Sequence, residues 1–356
     1  MKVTSSPHIR APENTGYLMR WVVLALAPSA IFSVYLIGFR VAPIILVSVL
    51  ACMATEVIWH NFRDGRNVRR TWAELTAGIL VPALGAIPPF GMFIQWIMCA
   101  LLVGIIWLER EHRFDGSTAV TGLLLAMVLP PMVPWWVVYV GAITAIALAK
   151  ELFGGLGYNV FNPALVARAA LVLSWPKYVT TGWYKPIVDA TTSATPLGLF
   201  KNRVGAEVAN TYLPLLFANT GGCIGEVSAF LLLVGGLVLA WKKVIHPEIP
   251  IAYLGTMALI ALISGNDPVF HLLAGGAMLG AWFMATDYVT SPVTTKGRVI
   301  FGIGCGFLTM LLRLYGKAPE GVTYAILFMN MLTPMIDRTF TPRVYGHVQK
   351  AARGGK

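Results

Sequence analysis

The sequence predicts an all-α polytopic membrane protein with about 10–12 transmembrane helices in two related halves, some of them broken half-helices. Three observations carry this. Mean hydropathy is +0.70 and only 12% of residues are charged, against the ~25% typical of a soluble domain. Apolar runs that approach the length needed to cross a ~30 Å hydrocarbon layer recur along the whole chain. Lysines and arginines fall mostly between those runs, and they alternate in density from one connection to the next.

The elements follow in order. Segment 1–19 is polar and basic and has no small-residue cleavage site after a short apolar run, so the first run is expected to be retained. A first membrane half, 20–176, holds runs near 20–38, 41–60, 72–87, 91–108, 117–131, 135–152 and 161–176. The runs 72–87 and 117–131 are too short to cross unless they tilt or stop part way. A polar loop spans 177–220. A second half, 221–337, holds runs near 224–241, 249–264, 269–286, 299–315 and 321–337, and a basic tail fills 338–356.

Within the first half, Glu74-Leu-Thr-Ala-Gly-Ile-Leu-Val-Pro-Ala-Leu followed by Pro88-Pro89 looks like a looser copy of the stretch from Ser117 to Pro130-Pro131. Each reads as a short helix, a double-proline turn and a longer helix. Duplication of a hairpin over 61–113 and chance recurrence of Leu/Ala/Gly/Pro strings both account for this.

Charge placement orients the chain. With a cytoplasmic N-terminus, the inner connections hold Lys2, Arg10, Arg20, Arg63, Arg66, Arg69, Arg70, Arg110, Arg113, Lys150, Lys242, Lys243, Lys296 and Arg298. The tail adds Arg338, Arg343, Lys350, Arg353 and Lys356. The outer connections hold Arg40, Lys177, Lys185, Lys201, Arg203 and Lys317. Both termini are therefore expected in the cytoplasm and the 177–220 loop on the opposite face of a bacterial inner membrane. The net charge of +11 is then a topological signal that calls for no nucleic acid.

The four cysteines, Cys52, Cys99, Cys223 and Cys305, form no C-x-x-C pair and read as packing residues. No two histidines lie four apart, so no metal site is expected. Glu56, Arg168 and Arg313 lie within apolar runs, where an unpaired charge costs at least ~2.5 kcal/mol, so each is expected to face protein or water.

The most informative stretch is Asp189-Ala-Thr-Thr-Ser-Ala-Thr195-Pro-Leu. It resembles the motif D-x-x-[ST]-G-A-T of proteins whose last threonine carries covalent FMN, with Ser193 where glycine usually stands. The other reading is an ordinary solvated Ser/Thr loop. Around it, in order, stand Phe114-Asp-Gly-Ser-Thr-Ala-Val-Thr-Gly, Phe153-Gly-Gly-Leu-Gly-Tyr-Asn-Val-Phe-Asn-Pro-Ala, Gly221-Gly-Cys-Ile-Gly-Glu and Gly275-Gly-Ala-Met-Leu-Gly-Ala-Trp-Phe-Met-Ala-Thr-Asp-Tyr-Val-Thr-Ser-Pro. Together these resemble RnfD, a membrane component of the Rnf electron transport complex, over roughly 1–60 and 114–348. More distantly they are similar to NqrB, its homologue in the sodium-pumping NADH:quinone reductase. That family pattern has about ten helices, which makes 61–113 look like an added hairpin.

The resemblance implies a one-electron relay in a multisubunit complex that couples electron flow between ferredoxin and NAD to movement of Na+ or H+. It implies FMN held by a phosphodiester at Thr195, with Asp189, Thr192, Ser193 and Ala194 completing the motif. It further implies a separate flavin transferase that recognises Asp189 and Thr192, and a second, noncovalent flavin (riboflavin or FMN) in the membrane part. Which residues line that second pocket does not follow from spacing. As flavin contacts of either kind the sequence offers Gly155 and Asn162 at a broken helix end, Arg168 six residues on, and Thr286 and Asp287 at another helix end, where Asp287 is either an ordinary terminus near water or part of an ion or flavin site. Gly276 is a further candidate; with Gly275 and Gly280 it also fits plain close packing of helices. A flavin-free channel or solute transporter would share the broken helices and the repeats but not the acceptor motif.

Overall fold

The computed structural model describes residues 14–63, 115–180, 196–201, 212–217, 222–316 and 321–341. The regular elements among these residues are helices, and four are long and apolar enough to cross a membrane. The first is α1 (Thr15–Ile37), opened by Asn14, whose side chain accepts from the Tyr17 N–H at 2.8 Å. Next comes α2 (Val41–Arg63). Residues 64–114, where most of the expected extra hairpin falls, lie outside the described residues; beyond them α3 (Ser117–Met127) is an 11-residue half-helix, ~16 Å long at 1.5 Å per residue. Helix α4 (Trp135–Ile143) runs on as a π-helical stretch (Thr144–Leu148) and a 3-10 turn (Glu151–Phe153). Asn162 and Pro163 then start α5 (Pro163–Ser174).

The second half opens with a 3-10 turn at Ile224–Glu226 and continues with α6 (Ala229–Trp241) and α7 (Glu248–Ile263). The expected crossing at 269–286 is broken. It forms α8 (Pro268–Leu273), a turn at Gly275 and Gly276, and the short α9 (Ala277–Leu279), which leads into a second π-helical stretch (Gly280–Met284). Helices α10 (Thr295–Tyr315) and α11 (Val322–Thr339) finish the described chain.

Small residues set the helix spacing. A side chain on Gly122 of α3 would come within 2.7 Å of the Val49 Cα on α2, and the Ser48 hydroxyl donates to the Gly122 carbonyl at 2.6 Å. Gly302 and Gly306 of α10 lie against the Ile249 and Tyr253 carbonyls of α7. Such close approach is how helices gain packing energy where lipid supplies no hydrophobic drive.

Breaks inside a membrane expose backbone groups, and irregular backbone persists there only where protein satisfies them. Here named side chains do so. The Val128 carbonyl, at the end of α3, accepts from Arg168 Nη1 and from the Cys223 thiol at 3.2 Å. The Leu129 carbonyl accepts from the Ile224 N–H at 3.0 Å, and the Ile224 carbonyl from the Ser33 hydroxyl at 2.7 Å. Arg313 donates to the carbonyls of His271 (2.5 Å), Ala274 (2.8 Å) and Gly275 (3.0 Å), closing the end of α8. Gly275 and Gly276 both sit at φ +67, a left-handed backbone that turns the chain, so they break the helix instead of lining a packing stripe.

Candidate functional site

A cleft opens where the first turns of α1 and α3, the loop ahead of α5 and the end of the second π stretch meet. Met19 and Val22 of α1, Val120 and Leu124 of α3, and Trp282 and Phe283 form its apolar walls. Ser117, Thr121, Lys150, Asn159, Asn162, Thr286 and Asp287 supply its polar atoms. Apolar and aromatic walls with a few converging donors suit a flat heteroaromatic ring edged with carbonyls and ring nitrogens.

The sequence-derived candidates fall in three places. Asn162, Thr286 and Asp287 line the cleft. Asn162 is also a structural keystone: its side-chain oxygen accepts from the N–H of Ala164 (3.1 Å) and Leu165 (3.4 Å), and its amide donates to the Met284 carbonyl at 3.2 Å. It thus fastens the start of α5 to the end of the π stretch. Thr286 donates to its own helix at the Trp282 carbonyl, 2.7 Å away, and Asp287 accepts from Thr290 at 3.3 Å.

Gly155 lies in the turn beside the cleft wall at φ +92, and its missing side chain leaves room for the Glu151 carboxylate, whose oxygens lie 3.5 and 3.7 Å from where a Cβ would stand. Arg168 and Gly276 line a separate, smaller cavity, with Cys223, Glu226 and Thr323. The Arg168 guanidinium is engaged there with the Cys223 sulfur at 3.3 Å. Thr195, Asp189, Thr192, Ser193 and Ala194 lie outside the described residues.

Sequence reasoning missed Lys150 and Glu151. Following an apolar run, Lys150 reads as a loop charge, yet it is 2% exposed and its Nζ bonds Glu56 Oε1 and Ser117 Oγ, both at 2.7 Å. Glu56 Oε2 accepts from Thr118 at 3.1 Å. The charge expected to need a partner inside α2 therefore has one 94 residues away. No local pattern announces such a pair; an acid inside an apolar run together with a lysine at the end of another was the available signal. Cys52, Cys223 and Cys305 are buried free thiols, and Cys223 is more than packing because it joins Arg168 at the Val128 carbonyl.

The chain matches the model of the NQR2, RnfD, RnfE family over residues 2–108 and 92–346. It is 42% identical over 348 residues to the D component of the Na(+)-translocating ferredoxin:NAD(+) oxidoreductase complex of Acetobacterium woodii, covering 97% of this chain and 95% of that protein. It is 39% identical to the D component of the proton-translocating ferredoxin:NAD(+) oxidoreductase complex of Clostridium ljungdahlii, with 97% and 96% covered. The D component of the ion-translocating oxidoreductase complex of Vibrio cholerae is 32% identical, with 97% and 99% covered. The expected extra hairpin 61–113 falls where the two stretches of the family match meet and overlap.

Proposed function

Because the chain belongs to the NQR2, RnfD, RnfE family, we propose that it is the RnfD component of an ion-translocating oxidoreductase complex in the bacterial inner membrane and that it relays electrons through bound flavin. The observation that carries the flavin reading is the acceptor motif Asp189 to Thr195, standing among four further glycine-rich signatures in family order. Thr195 would hold FMN through its phosphate, leaving the ring free to exchange electrons one at a time. A dedicated transferase would recognise Asp189 and Thr192 during attachment.

The cleft is the proposed seat of a second, noncovalent flavin, riboflavin or FMN. Flavin supplies redox chemistry there when bound; the protein supplies position and surroundings. Trp282, Phe283, Val120 and Leu124 would cover the ring faces and keep water off them. Asn159 and Thr121 would offer polar contacts to its edge, while Lys150 would hold a positive charge and a proton beside it. Asn162 acts by fixing the cleft wall, since its amide is already engaged on both sides.

The names of the relatives favour this reading over an NqrB-like role in a sodium-pumping quinone reductase. A flavin-free transporter is separated by one measurement. The denatured protein band should fluoresce as a flavoprotein, Thr195→Val should abolish that fluorescence, and Thr191→Ala should leave it intact. Undiminished fluorescence in Thr195→Val would sink the attachment at this residue. For the cleft, Val120→Trp should lower extractable noncovalent flavin severalfold while leaving covalent flavin unchanged, since it fills space without touching the acceptor loop.

A further inference from the structure

Behind the cleft wall lies a chain of ionisable groups that neither the fold nor the flavin reading accounts for. His60, four residues after Glu56 on α2, is 36% exposed at its side chain, and its Nε2 lies 3.7 Å from Glu151 Oε2. Glu151 is almost fully buried, and Oε1 lies 3.8 Å from Lys150 Nζ. Lys150 in turn contacts Ser117, and both of these line the cleft. The side chains of Glu56, His60 and Glu151 place their polar atoms within 4.8 Å of one another.

A static ion pair does not explain the arrangement. Lys150 and Glu56 already satisfy each other at 2.7 Å. Glu151 adds a second buried carboxylate, and its Oε2 has no hydrogen-bond partner, a state that is costly unless the oxygen is transiently protonated or bonded. Asp115 stands next in line, accepting from the Ser117 hydroxyl at 2.6 Å. Histidine is the side chain that gains and loses a proton most readily near neutral pH, and this one is partly exposed at the end of α2.

We propose that His60, Glu151 and Lys150 form a proton relay that runs from the surface at the end of α2 to the cleft and delivers one proton for each electron that enters the flavin there. The proposal rests on the reading of the cleft as a flavin site. With flavin bound, and an iron–sulfur or flavin donor passing one electron to it, Lys150 Nζ would give its proton into the cleft to balance the added charge. Glu151, protonated through His60, restores Lys150, and His60 takes a proton from water. One electron and one proton enter, and the cluster returns to its starting charge.

The test follows proton uptake with a pH-indicator dye during rapid reduction of the intact complex, alongside flavin absorbance and extractable flavin. Glu151→Gln should slow proton uptake about tenfold or more without loss of either flavin, and Glu151→Asp should restore part of the rate. His60→Ala should also be slowed and should be rescued by added imidazole. Zinc chloride should slow the unsubstituted protein and leave His60→Ala unaffected, because imidazole and carboxylate together bind zinc. Proton uptake at the normal rate in Glu151→Gln, with noncovalent flavin retained, overturns the relay alone. Absence of noncovalent flavin from the unsubstituted complex overturns the reading of the cleft and the relay with it.

Discussion

Arg168 and Arg313 show what a buried charge does when its neighbours are broken backbone. Each gives N–H groups to carbonyls that a helix end has released. A buried carbonyl left without a donor costs about 1–3 kcal/mol, and Arg313 serves three of them. Arg313→Met should therefore lower the thermal unfolding midpoint in detergent more than Arg168→Met, because the Val128 carbonyl keeps its bond from Cys223. Arg313→Lys, with one point donor in place of a fork, should fall between Arg313→Met and the unsubstituted protein. An unchanged midpoint in Arg313→Met would mean that the break at Gly275 is held by packing. The sequence marked both arginines as residues needing company, but it could not say that the company was main chain, because carbonyl release depends on where a helix ends.

At the scale of elements, the breaks were the most legible part of the chain. Pro130-Pro131 and Asn162-Pro163 carry their own geometry: two successive prolines remove two backbone donors and favour a break, although the single Pro28 and Pro334 are carried inside α1 and α11, and asparagine ahead of proline caps a new helix. Helices α3 and α5 accordingly stop and start within a residue or three of the expected points. Gly275 and Gly276 were ambiguous between packing and turning, since both uses favour the same residue. Gly276→Ala tests the turn: at φ +67 a Cβ costs about 1–2 kcal/mol, and it would also stand 3.1 Å from Glu226 Oε1. A lowered unfolding midpoint is expected, whereas Gly255→Ala, with open space around its Cβ, should leave the midpoint unchanged. The candidate site was only partly readable, since Asn162, Thr286 and Asp287 were flagged by helix ends, whereas Lys150, Glu151 and Ser117 meet through contacts far apart in sequence.

For the whole molecule, charge placement predicts an orientation. Lys150 leaves the count of loop cations because it is buried, yet the excess on the inner connections and tail persists. A cysteine placed at Gly182 should react with a membrane-impermeant thiol reagent from outside intact cells, while cysteines at Asn67 and Gly346 should react only after the membrane is opened. Labelling at Asn67 in intact cells would reverse the topology. Such an arrangement would put the acceptor loop at one face and the end of α2, with His60, at the other, so electrons and protons would approach the flavins from opposite sides.

The two π-helical stretches, Thr144–Leu148 and Gly280–Met284, have a consequence of their own. Each comes just before a polar pair at or behind the cleft wall: Lys150 and Glu151 after the first, Thr286 and Asp287 after the second. A π turn carries about one residue more than an α turn, and one residue advances a helix by roughly 100°. The angular phase of both pairs is thus fixed by chain length upstream and not by the side chains themselves. Deleting one residue from either stretch, Ala147 or Ala281, would let the helix relax to ordinary pitch and rotate its pair by more than a quarter turn, which for the first would point an ammonium away from Glu56. A neutral deletion of alanine, touching nothing charged, should then be as damaging to the cleft as removing the lysine.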